Sequence, residues 1–184
     1  MKVIAISGHA MNGKDTTANI LAYKLREAGN RVVIAHYADL VKYICKTFFG
    51  WDGRKDKAGR TLLQYVGTDV VRNIYPAYWV DFIADMIGFF GDNWDYMIIP
   101  DTRFPNEIED LQDRNIDVTH LRVVRSGFVS PLTEEQKNHP SETALDNYEP
   151  DWWIDNMDGD DDVMFENLRA QIDYFIKEKL NGDD

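Results

Sequence analysis

Gly8 and Gly13 bracket four residues and are followed by Lys14, Asp15, Thr16 and Thr17. This is the spacing G-x-x-x-x-G-K, in which backbone N–H groups wrap a phosphate and the start of a helix adds positive potential. The lysine bridges neighbouring phosphates as a point charge. Glycine is needed where the backbone must come close to an anion or take dihedrals closed to other residues. The phosphate site so read comprises Gly8, His9, Ala10, Met11, Asn12, Gly13, Lys14, Asp15, Thr16 and Thr17. The residue after the lysine is ordinarily Ser or Thr, whose hydroxyl binds Mg²⁺, but here it is Asp15, with hydroxyls one and two places later. A carboxylate can hold Mg²⁺ directly or through water, which alters the metal shell and keeps the anion site. The plainer alternative is a glycine turn that Asp15 merely caps.

A second constellation is Asp101-Thr102-Arg103-Phe104-Pro105-Asn106-Glu107. An acid at the carboxyl end of a strand faces the phosphate loop across the sheet, so Asp101 joins Asp15 and Thr16 as a candidate Mg²⁺ ligand, and Arg103 would point at a transferring or acceptor phosphate. Alternatively, Asp101 caps the following helix and Arg103 pairs with Glu107 one turn on. Arg60, Gln64, Thr68 and Arg72 recur every four residues along the polar side of an apolar-backed helix. Such a strip presents arginines to a phosphate and an amide to a base edge, or it is a solvated helix face. From Arg122 and Arg125 through Gly127 and Lys137 to His139-Pro140-Ser141-Glu142 the chain is polar and carries cations, the composition of a lid that excludes water over a phosphate site. Thr133-x-x-Gln136 reads as a capping box inside it, and His139 as a structural hydrogen-bonder rather than a base. The acidic run Asp155 to Asp162 does not fit a calcium loop, since placing Gly159 sixth puts Ile154 first and Phe165 twelfth; acids leading into a helix explain it.

The elements that must position these residues follow from periodicity. Lys2–Ser7 reads as a buried strand and Lys14 to Ala28 as a helix that stops at Gly29-Asn30. Arg31–His36 is a second strand, Tyr37–Lys42 turns into a helix reaching Phe49, and Gly50 to Gly59 reads as a loop. Helices are expected from Arg60 to Ile74 and from Tyr78 to Phe90, a strand over Trp94–Pro100, a helix over Phe104–Arg114 and a strand over Asp117–Val124. After the polar stretch, Trp152–Asp155 is a short last strand and Val163–Leu180 a final amphipathic helix. Alternating elements with strands apolar throughout imply an α/β fold, a parallel sheet covered on both faces, in one domain spanning 1–184. Two insertions interrupt the alternation, at about 60–90 and about 125–148. Both begin at the carboxyl ends of strands, where such sheets bind ligands.

Composition bounds the function. The 184 residues suffice for one substantial core, and 44% hydrophobic content argues against wholesale disorder. No apolar run approaches the roughly 20 residues of a membrane helix, and Met1-Lys2-Val3 runs straight into the phosphate loop, leaving no room for a signal peptide, so a cytoplasmic protein is expected. The lone Cys45 lies in an apolar helical pattern and reads as a buried, inert thiol. The net charge of −12 weighs against a surface that tracks a nucleic-acid polymer, whereas a small anion needs only a few placed cations.

Taken together, Gly8-x4-Gly13-Lys14-Asp15-Thr16, Tyr37-Ala38-Asp39-Leu40-Val41-Lys42, Arg60-x3-Gln64-x2-Gly67-Thr68-Asp69-x2-Arg72, Asp101 to Glu107 and Ser141-Glu142-Thr143-Ala144-Leu145-Asp146 resemble the signature blocks of phage-type deoxynucleoside monophosphate kinases, in order along nearly the whole chain. Several blocks are also similar to animal-type phosphomevalonate kinase, so they define the chemistry more narrowly than the acceptor. The resemblance implies a three-layer P-loop kinase core with a five-stranded parallel sheet, a helical acceptor-binding insertion and a lid. It implies ATP and Mg²⁺ as co-substrates and a deoxynucleoside monophosphate as acceptor. On this reading Lys14, Asp15, Arg103 and Arg125 are catalytic. Tyr37, Ala38, Lys42, Arg60, Gln64, Thr68, Arg72, Arg103, Ser141 and Glu142 meet the acceptor. The partners implied are small nucleotides, with no nucleic-acid polymer and no membrane, a homodimer being open, and the location is the cytoplasm, the host's if the chain is phage-encoded. A kinase acting on another small phosphorylated acceptor or within DNA, and a nucleotide-binding protein without transferase activity, are the alternatives.

Overall fold

The computed structural model describes residues 1–54, 56–157, 159 and 161–180, and of Asp161 the backbone alone. Five parallel strands form one sheet: β1 (Lys2–Ser7), β2 (Val32–Ile34), β3 (Tyr96–Ile99), β4 (Asp117–Val124) and β5 (Trp152–Asp155), in the order β2-β3-β1-β4-β5. The helices are α1 (Lys14–Glu27), α2 (Ala38–Phe49), α3 (Lys57–Gln64), α4 (Tyr78–Phe90), α5 (Asn106–Asp113), α6 (Glu134–Lys137), α7 (Pro140–Thr143) and α8 (Asp161–Phe175).

The strand β1 is central because it offers apolar side chains to both faces. Val3 and Ile4 lie in register with Met97 and Ile98 on one side and with Val118 and Thr119 on the other. Successive strand residues point to opposite faces. Val3, Ala5, Met97 and Ile99 therefore pack into a core with Val41, Cys45, Trp79, Val80, Ile83 and Ile108, from α2, α4 and α5. Ile4, Ile6, Ile98, Leu121, Val123 and Ile154 pack against Leu21 and Leu25 of α1 and Leu168, Ile172 and Phe175 of α8. This is the three-layer α/β fold expected from the alternation. Cys45 is buried, and burial pushes its thiol pKa up. No helix among the described residues is long and apolar enough to cross a membrane.

Three boundaries differ from the sequence reading. The expected loop from Gly50 to Gly59 ends at Asp56, whose side chain accepts the Gly59 N–H at 2.8 Å and caps α3. Gly59 is a packing residue rather than a turn residue, since a Cβ there would fall 2.0 Å from the Arg54 carbonyl oxygen. The helix expected to Ile74 is regular only to Gln64. Through Tyr65–Arg72 it continues in wider, π-type turns, where Gly67 and the β-branched Val66, Val70 and Val71 weaken α-helical preference and the Trp79 indole N–H binds the Gly67 carbonyl at 2.9 Å. The last helix begins at Asp161, two residues before Val163, and its Ile176–Leu180 end is also π-type. Of the acidic run from Asp155, Asp158 and Asp160 lie outside the described residues, as does the Asp161 side chain.

His120 on β4 is 1% exposed, and its Nε2 lies 2.7 Å from the Ser7 hydroxyl at the end of β1. Burial, helped by Arg122, lowers its pKa from 6.5 to about 4. The unfolded chain therefore takes up this proton first, and stability that is fully present above pH 6.5 falls as the pH drops towards 4. Between pH 7 and pH 5 the loss from this group should be about 2 kcal/mol. Urea unfolding of the wild type and His120→Gln at both pH values measures it. The wild type is expected to lose more than the variant, and equal losses would show that His120 is not held neutral.

Candidate active site

At the carboxyl ends of β1, β2 and β3 a cleft of about 670 Å³ opens, walled by residues drawn from the segments 10–19, 34–42, 60–79, 100–107 and 132–142. The β1–α1 loop forms its floor. Gly8 and Gly13 take φ values of 140° and 93°; a Cβ on Gly8 would lie 2.2 Å from the Val123 carbonyl oxygen, and one on Gly13 2.3 Å from Asn156 Nδ2. Lys14 is buried, with Nζ donating to the carbonyls of Gly8 at 2.7 Å and His9 at 2.9 Å. Burial and the nearby Arg103 charge lower its pKa to about 8, so it remains mainly protonated at neutral pH.

Ala10, Met11, Lys14 and Asp15 line the cleft, whereas Gly8, His9, Asn12, Gly13, Thr16 and Thr17 do not. Helical residues are about 100° apart, so a first turn that aims Asp15 at the cleft turns Thr16 away from it. Thr17 is fully buried, with no hydrogen-bond partner for its hydroxyl among the described residues. Asp15 thus faces the cleft where Thr16 does not. Asp15, 73% exposed in its side chain, sits 3.5 Å from His36 Nε2, while His36 Nδ1 is 3.3 Å from Asp39. These carboxylates, Asp15 foremost, raise the His36 pKa. Asp101 also lines the cleft, and it caps a helix other than the one expected: its two oxygens accept the N–H groups of Tyr37 at 3.0 Å and Ala38 at 2.9 Å, at the start of α2. Each oxygen keeps a lone pair, and Asp101, like Asp15, lines the cleft; carboxylate oxygens are the donors a hydrated Mg²⁺ takes.

All ten residues assigned to the acceptor, Tyr37, Ala38, Lys42, Arg60, Gln64, Thr68, Arg72, Arg103, Ser141 and Glu142, line this one cleft. The π-type turns explain how a four-residue repeat stays on it. In an α-helix each four-residue step advances the strip by about 40°, whereas the wider turns from Tyr65 to Arg72 fall short of a full circle in four residues and bring it back. Lys42 is paired with Asp39 at 2.8 Å.

The arginines are engaged differently from either sequence alternative. Arg72 is not a solvated arginine: its Nη2 pairs with Glu107, its Nη1 donates to Asn106 Oδ1 at 2.8 Å, and its guanidinium lies 3.9 Å from the Phe104 ring centre. Glu107 is 2% exposed and also accepts the backbone N–H groups of Arg103 at 2.6 Å and Phe104 at 3.2 Å. Burial pushes its pKa up to about 7 against the pull of those donors. The Arg103 guanidinium turns instead to the Ser141 carbonyl at 2.7 Å and to Glu142, which in turn accepts the Ala10 N–H at 2.8 Å. Arg125 is not on the cleft wall; it lies beside Met11, with Nη1 3.5 Å from the Met11 carbonyl and the guanidinium 4.6 Å over Phe128.

The expected lid carries α6, with the Thr133–Gln136 capping box formed on both sides, and α7, whose N-terminus is capped by His139. His139 makes hydrogen bonds within its own turn, its Nδ1 2.8 Å from the Ser141 hydroxyl. Sequence reasoning passed over Asn156, which follows β5, is buried, and donates to the Asn12 carbonyl at 3.0 Å; its place just past a strand end was the available signal. Asp146, the last residue of the Ser141–Asp146 block, bridges Arg122 at 2.7 Å and His9 at 3.2 Å and so fastens the lid's base to the phosphate loop.

The sheet order, the glycine loop and its lysine define a P-loop kinase fold, and solved structures agree. A candidate kinase from Chloroflexus aurantiacus superposes with a TM-score of 0.54 at 15% identity over 100% of this chain and 97% of that one. Shikimate kinase from Bacteroides thetaiotaomicron does so with a TM-score of 0.50 at 11% identity, over 96% and 98%. The chain belongs to the deoxynucleotide monophosphate kinase family, whose model matches residues 32–171. Among its relatives, the deoxynucleotide monophosphate kinase of Escherichia phage RB69 is 35% identical over 120 residues, which are 64% of this chain and 44% of that protein. That of Enterobacteria phage T4 is 29% identical over 179 residues, 94% of this chain and 67% of that protein. The chain thus spans from under half to about two thirds of the length of these relatives.

Proposed function

We propose that the chain transfers the γ-phosphoryl group of ATP to the phosphate of a deoxynucleoside monophosphate, giving ADP and the deoxynucleoside diphosphate. The observation that carries this reading is the single cleft in which the phosphate-loop Lys14 and all ten acceptor-facing residues converge; family membership agrees with it. Phosphoryl transfer demands positioning and charge more than proton abstraction. Lys14 and the loop N–H groups would hold the β- and γ-phosphates, and Arg103 would lie between donor and acceptor. Lys42, Arg60, Gln64 and Thr68 would orient the monophosphate and its base. Arg72, clasped by Glu107 and laid on Phe104, would form the rigid wall behind them. Asp15 and Asp101 would hold Mg²⁺, which supplies neutralisation of phosphate charge when bound. Arg125, beside Met11, would serve the ATP side rather than the acceptor side. An enzyme of this kind works where ATP and deoxynucleotide pools are, in the cytoplasm, and a chain of net charge −12 suits a small acceptor over a nucleic-acid polymer.

A coupled ADP-release assay with ATP, Mg²⁺ and a panel of deoxynucleoside monophosphates, ribonucleoside monophosphates and other small phosphorylated acceptors tests the proposal. At least one deoxynucleoside monophosphate is expected to stimulate ADP release well above the acceptor-free rate. ATP binding without stimulation by any acceptor would make this a nucleotide-binding protein and not a kinase.

A further inference from the structure

The carboxylate of Glu142 stands where an anion is otherwise expected. Its Oε2 accepts the Ala10 N–H of the phosphate loop at 2.8 Å, its Oε1 pairs with Arg103, and its side chain is only 7% exposed. Arg103 holds the same segment a second time through the Ser141 carbonyl at 2.7 Å. The segment is anchored on both sides. Upstream, His139 caps α7 and reaches Asp69 of the acceptor insertion at 3.6 Å. Downstream, Leu145 is buried in the core, its carbonyl is bound by Arg122, and Asp146 bridges Arg122 and His9. Glu142 therefore sits at the middle of a short strap whose ends are fixed. A loop N–H and a guanidinium converging on one point are the donors that a phosphoryl oxygen would take.

We propose that Glu142 is a built-in surrogate anion: the strap 139–146 occupies the phosphoryl-transfer corner, and a bound γ-phosphate must displace the carboxylate from Ala10 and Arg103. This deepens the nucleotide reading above and rests on it. Two negative groups cannot share those donors, so docking of the strap and binding of ATP oppose each other. The consequence is a site whose donor half is held shut until substrate contacts elsewhere on the strap release it, which limits attack of water on ATP when no acceptor is present. A Glu142 that only braces Arg103 would have the opposite sign, since its loss would disorder an ATP contact.

Titration calorimetry of ATP with Mg²⁺, without acceptor, into the wild type and Glu142→Gln decides between them. The isosteric amide keeps the volume and removes the charge. The variant is expected to bind ATP roughly tenfold or more tightly, the size of a lost competing charge-assisted hydrogen bond, and to hydrolyse ATP faster without acceptor. Unchanged or weaker ATP binding in the variant, beside measurable binding by the wild type, would overturn the strap and leave the nucleotide reading standing. If neither form bound ATP, the nucleotide reading itself would fall and the strap with it. Should Glu142→Gln not fold, Glu142→Asp, whose carboxylate is one methylene short of Ala10, carries the same test, with tighter binding expected and unchanged or weaker binding overturning the proposal.

Discussion

Lys14→Ala will lower the phosphoryl-transfer rate by a factor of about 10² to 10³ or more, the cost of removing a preorganised positive group from a site of developing negative charge. The ammonium is buried at the floor of the cleft, and burial and Arg103 depress its pKa, so it is held in a place where its own charge is unfavourable until a phosphate arrives. Stability will change much less. Its bonds to the Gly8 and His9 carbonyls are worth on the order of 1–2 kcal/mol together, while Gly8 and Gly13 keep their conformation through contacts with Val123 and Asn156. Steady-state turnover alongside thermal unfolding checks both parts. A variant that turned over within tenfold of the wild type would show that Lys14 is not the phosphate lysine.

Arg72→Ala will unfold at a markedly lower temperature, because it leaves Glu107 buried without its guanidinium partner. Breaking such a pair from one side costs about 3–5 kcal/mol, or roughly 10 °C in melting temperature for a chain of this size. The partner groups show why: Glu107 retains the backbone N–H donors of Arg103 and Phe104 and is already pushed towards neutrality by burial. A loss of acceptor affinity in this variant would therefore mix two effects. Arg72→Ala/Glu107→Gln separates them, since the neutral amide tolerates burial and should recover more than half of the lost stability. With the fold restored, an acceptor KM that stays raised while the ATP KM is near normal assigns Arg72 to the acceptor wall. An acceptor KM that returns to the wild-type value would mean that Arg72 acts only by holding Glu107. No stability loss in the single variant would show that the pair does not fasten α5 to the acceptor insertion.

How far the residues alone reach is clear from particular elements. The strand–loop–helix from Lys2 to Glu27 was legible because its signals are local: an apolar run, two glycines at fixed spacing, a lysine, and a helix stop at Gly29. The parallel sheet and the Thr133–Gln136 capping box were legible for the same reason, as periodicity and cap chemistry act over a few residues. Even the four-residue strip from Arg60 to Arg72 pointed to the cleft it lines. What the strip could not show is that its helical winding changes over Tyr65–Arg72, where the Trp79 indole binds the Gly67 carbonyl from across the insertion. Which carboxylate meets which cation was equally out of reach. Asp101 caps α2 instead of the helix after it, Glu107 goes to Arg72, and Arg103 goes to Glu142, across gaps of 63, 35 and 39 residues. Side chains of one charge are interchangeable along a sequence. Only the packing of β3, the insertion and the strap against one another makes each pair near and the alternatives distant, and it is that packing which sets Glu142 on the phosphate loop.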